Sequence, residues 1–172
     1  MFMRSERLFL RPAWPEDRAD LHDLIGSHAL AFVTSAWTAR YPRMLITLPD
    51  ATSAAGGARI IGAVGFGPCD GDAELGVLIT REWTNQGFAT EAARGALTIA
   101  RTLGHCRVVA HQFGENPAAS RMLAKLGFAP TGHVRNRHSA LRGVAEPARI
   151  HTLDLCQPAC PPLDPAMVRR AA

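Results

Sequence analysis

Apolar and polar residues alternate in short runs near the start of the chain and again through its middle, while two later stretches repeat their apolar positions at helical spacing. Residues 7–11 (R-L-F-L-R) predict a first strand, stopped by Pro12 and Pro15. Residues 18–30 carry Leu21, Leu24 and Ile25 on one helical face and predict an amphipathic helix. Residues 31–42 hold Phe32, Trp37 and Tyr41 among small polar residues, and fit either a short helix or a loop. Strands are expected over residues 44–48, 59–66 and 74–80, with turns or loops over 49–57 and 67–71, close enough together for an antiparallel meander. The period then lengthens. Ala92, Ala93, Ala96, Leu97, Ala100 and Leu103 form one stripe of a helix over residues 89–103, with Gly104 as its stop. A strand over 107–112 follows, then a helix over 117–126 with Asn116 as cap, Pro117 at its first position and Gly127 at its end. Strands over 128–135 and 150–155 complete the order. This succession predicts a mixed α+β or α/β sheet with helices on its faces, without fixing the strand order.

A chain of 172 residues suits a single domain, taken here as residues 1–157, with a proline-rich stretch at 158–172 expected to be a loosely attached terminus. At 47% hydrophobic and 20% charged, the composition excludes collagen-like, coiled-coil and wholly disordered classes. No apolar run approaches the roughly eighteen residues of a membrane span, and Arg4, Glu6, Arg7 and Arg11 argue against a signal peptide. The net charge is +4, yet eighteen of the nineteen basic residues are Arg, with Lys125 the only lysine, and they are scattered. That reads as compositional bias, and it fits a small anionic ligand better than a nucleic acid or a membrane surface. Four cysteines are too few for a disulfide framework; Cys156 and Cys160 have a C-x3-C spacing that no second pair matches, so no metal site is expected. His133 and His138, and His22 and His28, also miss the i, i+4 spacing of paired ligands. A reducing cytoplasm is the expected compartment. The sequence does not read out an oligomeric state, and a homodimer is among those left open.

Two runs carry candidate chemistry. The first, Thr84-Asn85-Gln86-Gly87-Phe88-Ala89-Thr90-Glu91, leaves a strand and opens the longest helix. Gly87 permits close backbone approach, and successive amides at the positive helix end make an anion cradle. The plain alternative is an ordinary strand-to-helix turn. The second run spans Asn116 to Phe128, where the Asn116 amide can both donate and accept, and where Ser120 and Arg121 fall one turn into a helix. An ordinary helix cap is the alternative for Asn116. Gly62, Gly65 and Gly67 reverse the dinucleotide order and precede no helix, and neither a phosphate-loop G-x-x-x-x-G-K-[ST] nor a G-x-S-x-G elbow is present.

The runs E-L-G-V-L-I-T, W-T-N-Q-G-F-A-T-E-A and E-N-P-A-A-S-R-M-L-A-K-L-G-F together resemble the GNAT superfamily of acetyl-CoA-dependent N-acetyltransferases, and with the opening S-E-R-L-F-L-R-P they are most similar to its RimJ/RimL-type branch. The resemblance implies a splayed, mostly antiparallel sheet of about six or seven strands with helices on both faces, and coenzyme A in the splay. It implies that Asn85, Gln86, Gly87, Phe88, Ala89 and Thr90 wrap the pyrophosphate. Val77 and Ile79 would present backbone groups to the pantetheine arm, with the Val77 or Leu78 N–H polarising the thioester carbonyl. Asn116 would meet the pantetheine amides, Ser120 would lie near the sulfur, and Arg121 would reach a phosphate. Thr84 stands where the family usually has Gln or Arg.

The reaction so implied is direct attack of a primary amine, from a protein N-terminus or a small molecule, on acetyl-CoA. An α-amine with a pKa of roughly 7.7–8.0 needs only a weak base, whereas a lysine amine at about 10.4 needs a stronger one. Glu74 is the first candidate base and His111, on the neighbouring strand, the second; Ser120 is the candidate donor to the leaving thiolate. A covalent route through Cys69 or Cys106 lacks an evident neighbouring base. A non-catalytic acyl-CoA-binding module and a basic nucleic-acid binder are the rivals from other classes.

Overall fold

The computed structural model describes residues 2–18, 21, 38–49, 57–138 and 144–156. The tail over 158–172, and most of the expected helix over 18–30 and of the segments 31–42 and 49–57, lie outside these residues. The strands are β1 (Met3–Arg4), β2 (Phe9–Arg11), β3 (Arg43–Pro49), β4 (Ala58–Cys69), β5 (Asp72–Ile79), β6 (Arg107–Phe113), β7 (Ala129–His138) and β8 (Ala145–Asp154); the helices are α1 (Phe88–Thr102) and α2 (Pro117–Leu126). Among the described residues, the eight strands join one sheet in the order β1-β2-β3-β4-β5-β6-β8-β7. Every neighbouring pair is antiparallel except β5 and β6, which run parallel. The mixed, mostly antiparallel fold expected from the sequence is the one observed. The extra strand is β1, whose two residues are too few to show alternation.

Strand β4 continues through Gly67, Pro68 and Cys69, where the sequence suggested a turn. The reversal is confined to Asp70 and Gly71, at φ 49° and 91°. Positive φ at both central residues is the two-residue hairpin geometry whose twist matches the flanking strands, and an Asp-Gly pair adopts it readily. This tight turn keeps β4 and β5 in register from Cys69–Asp72 to Gly62–Ile79.

One face of the sheet packs under α1 and α2. Ile46, Val64, Phe66, Ala73, Leu75, Val108 and Ala110 from the strands meet Phe88, Ala92, Ala96, Leu97 and Leu123 from the helices. Each large apolar side chain buried there contributes about 1.5–3 kcal/mol. The alanine stripe of α1 is what lets the helix lie close on the sheet. The other face buries a smaller cluster of Leu21, Leu45, Ile60 and Ala63. One disulfide joins Cys106, just before β6, to Cys156, just after β8, a pair the sequence spacing did not single out.

Arg11 at the end of β2 is buried with Asp17: its two terminal nitrogens donate to the two carboxylate oxygens at 2.6 and 2.7 Å. The Trp14 amide donates to the same carboxylate at 2.7 Å, and the guanidinium lies 4.0 Å from the Trp14 ring centroid. Burial pushes the Asp17 carboxyl up, but the Arg11 hydrogen bond, the Trp14 amide and the Arg11 charge outweigh it, so Asp17 sits below its ordinary value of about 3.8. The stability it adds is therefore full above about pH 3.8 and is lost as pH falls through the lowered value. Asp17→Asn should cost about 3 kcal/mol at pH 7 by leaving the buried Arg11 uncompensated, and should flatten the acid limb of a urea-unfolding series.

Candidate active site

Strands β5 and β6 are paired only at Ala73–Val108 and Glu74–Val109. Beyond Glu74 they diverge, while β5 stays paired with β4 along its length. Thr80 donates to the Ile61 carbonyl at 2.9 Å and continues the β4–β5 register. In an antiparallel ladder a residue bonded this way turns both of its backbone groups to the partner, and its neighbours turn theirs away. Leu78 thus faces β4, while the amides and carbonyls of Leu75, Val77 and Ile79 face the gap. The sequence left Val77 and Leu78 as equal candidates for a free N–H; the ladder favours Val77.

A cleft of about 390 Å³ occupies this gap, walled by Val77, Leu78 and Ile79, by the segment running into α1 and by one side of α2. Gly87 caps α1 at φ 83°, a left-handed conformation natural to glycine, and makes no side-chain cap bond to the first-turn amides. The first intrahelical bond of this turn runs from the Glu91 N–H to the Gly87 carbonyl, at 3.1 Å. The Phe88, Ala89 and Thr90 amides therefore have no helical acceptor, and all three residues line the cleft together with Gly87. Asn85, at φ 60°, lines it as well. Gln86 does not: its side chain donates back to the Glu82 carbonyl at 3.2 Å. This stretch is fastened from the other end of the chain. Arg7 donates through Nε to Glu91 at 2.8 Å and through a terminal nitrogen to the Gln86 carbonyl at 3.2 Å, and it lies 4.3 Å from the Phe88 ring centroid. Ser5 adds a 2.7 Å bond to Glu91. Burial pushes the Glu91 carboxyl up, but the bonds from Ser5 and Arg7 together bring it below its ordinary value. The sequence reading passed over this clamp, which pairs residues 84 apart.

On α2, Asn116 accepts the Ala119 amide at 3.1 Å as a helix cap while also lining the cleft. Ser120 does not line it: its hydroxyl accepts from Gln112 Nε2 at 2.8 Å and donates to the Asn116 carbonyl at 3.3 Å, inside the β6–α2 junction. Arg121 lines the cleft, and so does Lys125 one helical turn further on, which the sequence reading did not assign. The i, i+4 spacing of these two cations was the signal available. Trp83, Thr84, Ala118, Ala119 and Met122 complete the wall. Two cations, three free amides and an open strand edge fit an elongated ligand with an anionic end and an amide-bearing arm.

Glu74 and His111 come together where β5 and β6 part. Strand alternation puts both on the face opposite α1 and α2, where Glu74 Oε1 lies 2.7 Å from His111 Nδ1. Glu74 Oε2 accepts from Arg137 at 2.8 Å. Burial pushes the Glu74 carboxyl up, but the hydrogen bond and charge of His111 and those of Arg137 outweigh it, leaving Glu74 below its ordinary value. An ionised carboxylate only accepts, so Nδ1 carries the proton and Nε2 is the nitrogen left to exchange one. His111 also lines a second cleft, of about 300 Å³, on this face. Neither cysteine suits a nucleophile: Cys106 is in the disulfide, and burial raises the Cys69 thiol. Among the described residues no group of three His, Cys, Asp or Glu side chains is placed to hold a metal ion, and no helix is long and apolar enough to cross a membrane.

Residues 7–129 match the family of the acetyltransferase (GNAT) domain. No curated protein matches the sequence. Among solved structures, Salmonella typhimurium YncA with its cofactor acetyl-CoA is similar at 20% identity and TM-score 0.62, covering 92% of this chain and 100% of the other. Mycobacterium smegmatis RimJ in complex with CoA-disulfide is similar at 18% identity and TM-score 0.62, over 86% and 82% of the two chains. The Vibrio cholerae spermidine/spermine N-acetyltransferase SpeG is similar at 20% identity and TM-score 0.62, over 86% and 92%. At these identities the likeness is one of fold.

Gly87→Ala should lower stability by about 1 kcal/mol, because a Cβ is strained at this φ even though its nearest neighbour would be the Arg7 guanidinium at 3.5 Å. Urea unfolding of the two proteins measures it.

Proposed function

As this chain belongs to the GNAT acetyltransferase family, we propose that it transfers the acetyl group of acetyl-CoA to a primary amine by direct attack, with both substrates bound at once. The carrying observation is the wedge between β5 and β6, with the bare amides of Phe88, Ala89 and Thr90 at its mouth. Acetyl-CoA, when bound, supplies an activated acetyl group. The first-turn amides of α1, with Arg121 and Lys125, hold its phosphates; each charge-assisted bond is worth about 1.5–3 kcal/mol. The outward backbone groups of Val77 and Ile79 and the Asn116 side chain hold the pantetheine arm. The Val77 amide is the donor aimed at the acetyl carbonyl.

His111 takes the proton of the attacking amine at Nε2, and Glu74 is its positioning residue, holding the tautomer through Nδ1. This reverses the order in which the sequence suggested the two bases, because both Glu74 oxygens are already engaged. Ser120 is a positioning residue for the β6–α2 junction and not a proton donor to the thiolate, since its own proton is directed at Asn116. The resemblance to RimJ/RimL-type sequences favours an α-amine as acceptor, the class of amine that needs the weaker base.

His111→Ala should lower kcat about a hundredfold with the Kd for acetyl-CoA unchanged, measured by thiol release and calorimetry. Glu74→Gln should lower kcat by about tenfold and leave cofactor binding intact. Gly87→Glu, which puts bulk and negative charge among the first-turn amides, should abolish acetyl-CoA binding. Wild-type protein that binds no acetyl-CoA would refute the proposal.

A further inference from the structure

We infer that the second cleft receives an amine that also bears an anionic group, a carboxylate or a phosphate, in preference to a polycationic amine. The inference rests on the acetyl-transfer reading and narrows its acceptor.

The cleft lies on the sheet face that carries Glu74 and His111, away from α1 and α2, and its volume of about 300 Å³ suits a small metabolite. Its two carboxylates, Asp70 and Asp72, and the neighbouring Glu74 are each paired with an arginine. Asp70 accepts from Arg135 at 3.0 Å, Asp72 from Arg107 at 2.7 Å, and Glu74 from Arg137 at 2.8 Å. A polyamine entering here would meet carboxylates whose charge a bonded guanidinium already offsets. Two acidic and three arginine side chains line the cleft, and this net positive charge opposes one.

Hydrogen-bond donors, by contrast, are in surplus. A guanidinium offers five N–H groups in a planar fork. Arg107 spends Nε and one terminal nitrogen on a single oxygen of Asp72. Arg135 spends one terminal nitrogen on Asp70. Their side chains are 55% and 64% exposed, so their remaining N–H groups turn to an incoming anion without desolvating a buried charge. Carboxylate and phosphate both match that fork. With the anion held by Arg107 and Arg135, the amine of a small zwitterion lies on the His111 side of the same cleft.

The test uses the full-length protein with acetyl-CoA and follows thiol release. Amino acids are each paired with their amides, phosphoethanolamine is paired with ethanolamine, and spermidine and an uncharged tripeptide amide are added. The anion-bearing member of at least one pair should have a KM about tenfold lower than its partner, the amino-acid arm reporting a carboxylate and the phosphoethanolamine arm a phosphate. Arg107→Gln and Arg135→Gln should raise that KM about tenfold while leaving the uncharged partner and the KM for acetyl-CoA unchanged. Both sites are exposed, so thermal unfolding should stay near wild type. Preference for spermidine, for the tripeptide amide or for the uncharged partners would overturn this inference and leave acetyl transfer standing, as would arginine variants that affect all acceptors alike. Thiol release with no acceptor at all would overturn the transfer reading and this one with it.

Discussion

A strand edge left open in the middle of a sheet is the constraint on which the rest of this structure depends. Two residue pairs tie β5 to β6 before the strands part. Beyond them, backbone groups of β5 face a gap where a ladder would ordinarily satisfy them, and buried backbone groups need partners. The sheet remains one body because the same apolar core runs beneath both halves: Ala73 and Leu75 on one side of the gap share it with Val108 and Ala110 on the other. The opening is therefore held by packing, and it is available to a ligand that can act as a substitute strand.

Because β5 and β6 are parallel, both leave the sheet at the same end of the gap. Each is followed by a helix, so the amino termini of α1 and α2 arrive at one mouth. Positive helix ends converge there beside Arg121 and Lys125, a setting that suits an anionic ligand although the chain's arginines are otherwise scattered. The opposite face of the same strands carries the Glu74–His111 pair. In the proposed reaction, cofactor anchoring and proton transfer therefore lie on opposite faces of one sheet, with the parting of β5 and β6 between them.

Much of this was legible in the sequence because it is local. The alanine stripe of α1, the Asn116-Pro117 start and Gly127 end of α2, and the small residues around Gly87 announce themselves within a few positions. What was not legible is what the chain brings together over long separations. Arg7 clamps Glu91, Arg137 reaches Glu74, and Gln112 meets Ser120 across a strand-to-helix junction. No periodicity encodes those pairs, and two of them bear on the proposed roles: Arg137 bonds the second Glu74 oxygen, and the Ser120 hydroxyl is bonded to Gln112 and Asn116. Cys106 and Cys156 became partners only once β6 and β8 lay side by side.

The most direct test of the open-edge account is amide NMR of the isotope-labelled protein titrated with coenzyme A. The largest shift changes are predicted at Val77, Ile79 and Gly87 through Thr90, with Leu78 less affected because its amide is spent on β4. Changes concentrated away from the β5–β6 gap, with these amides unmoved at saturation, would contradict it.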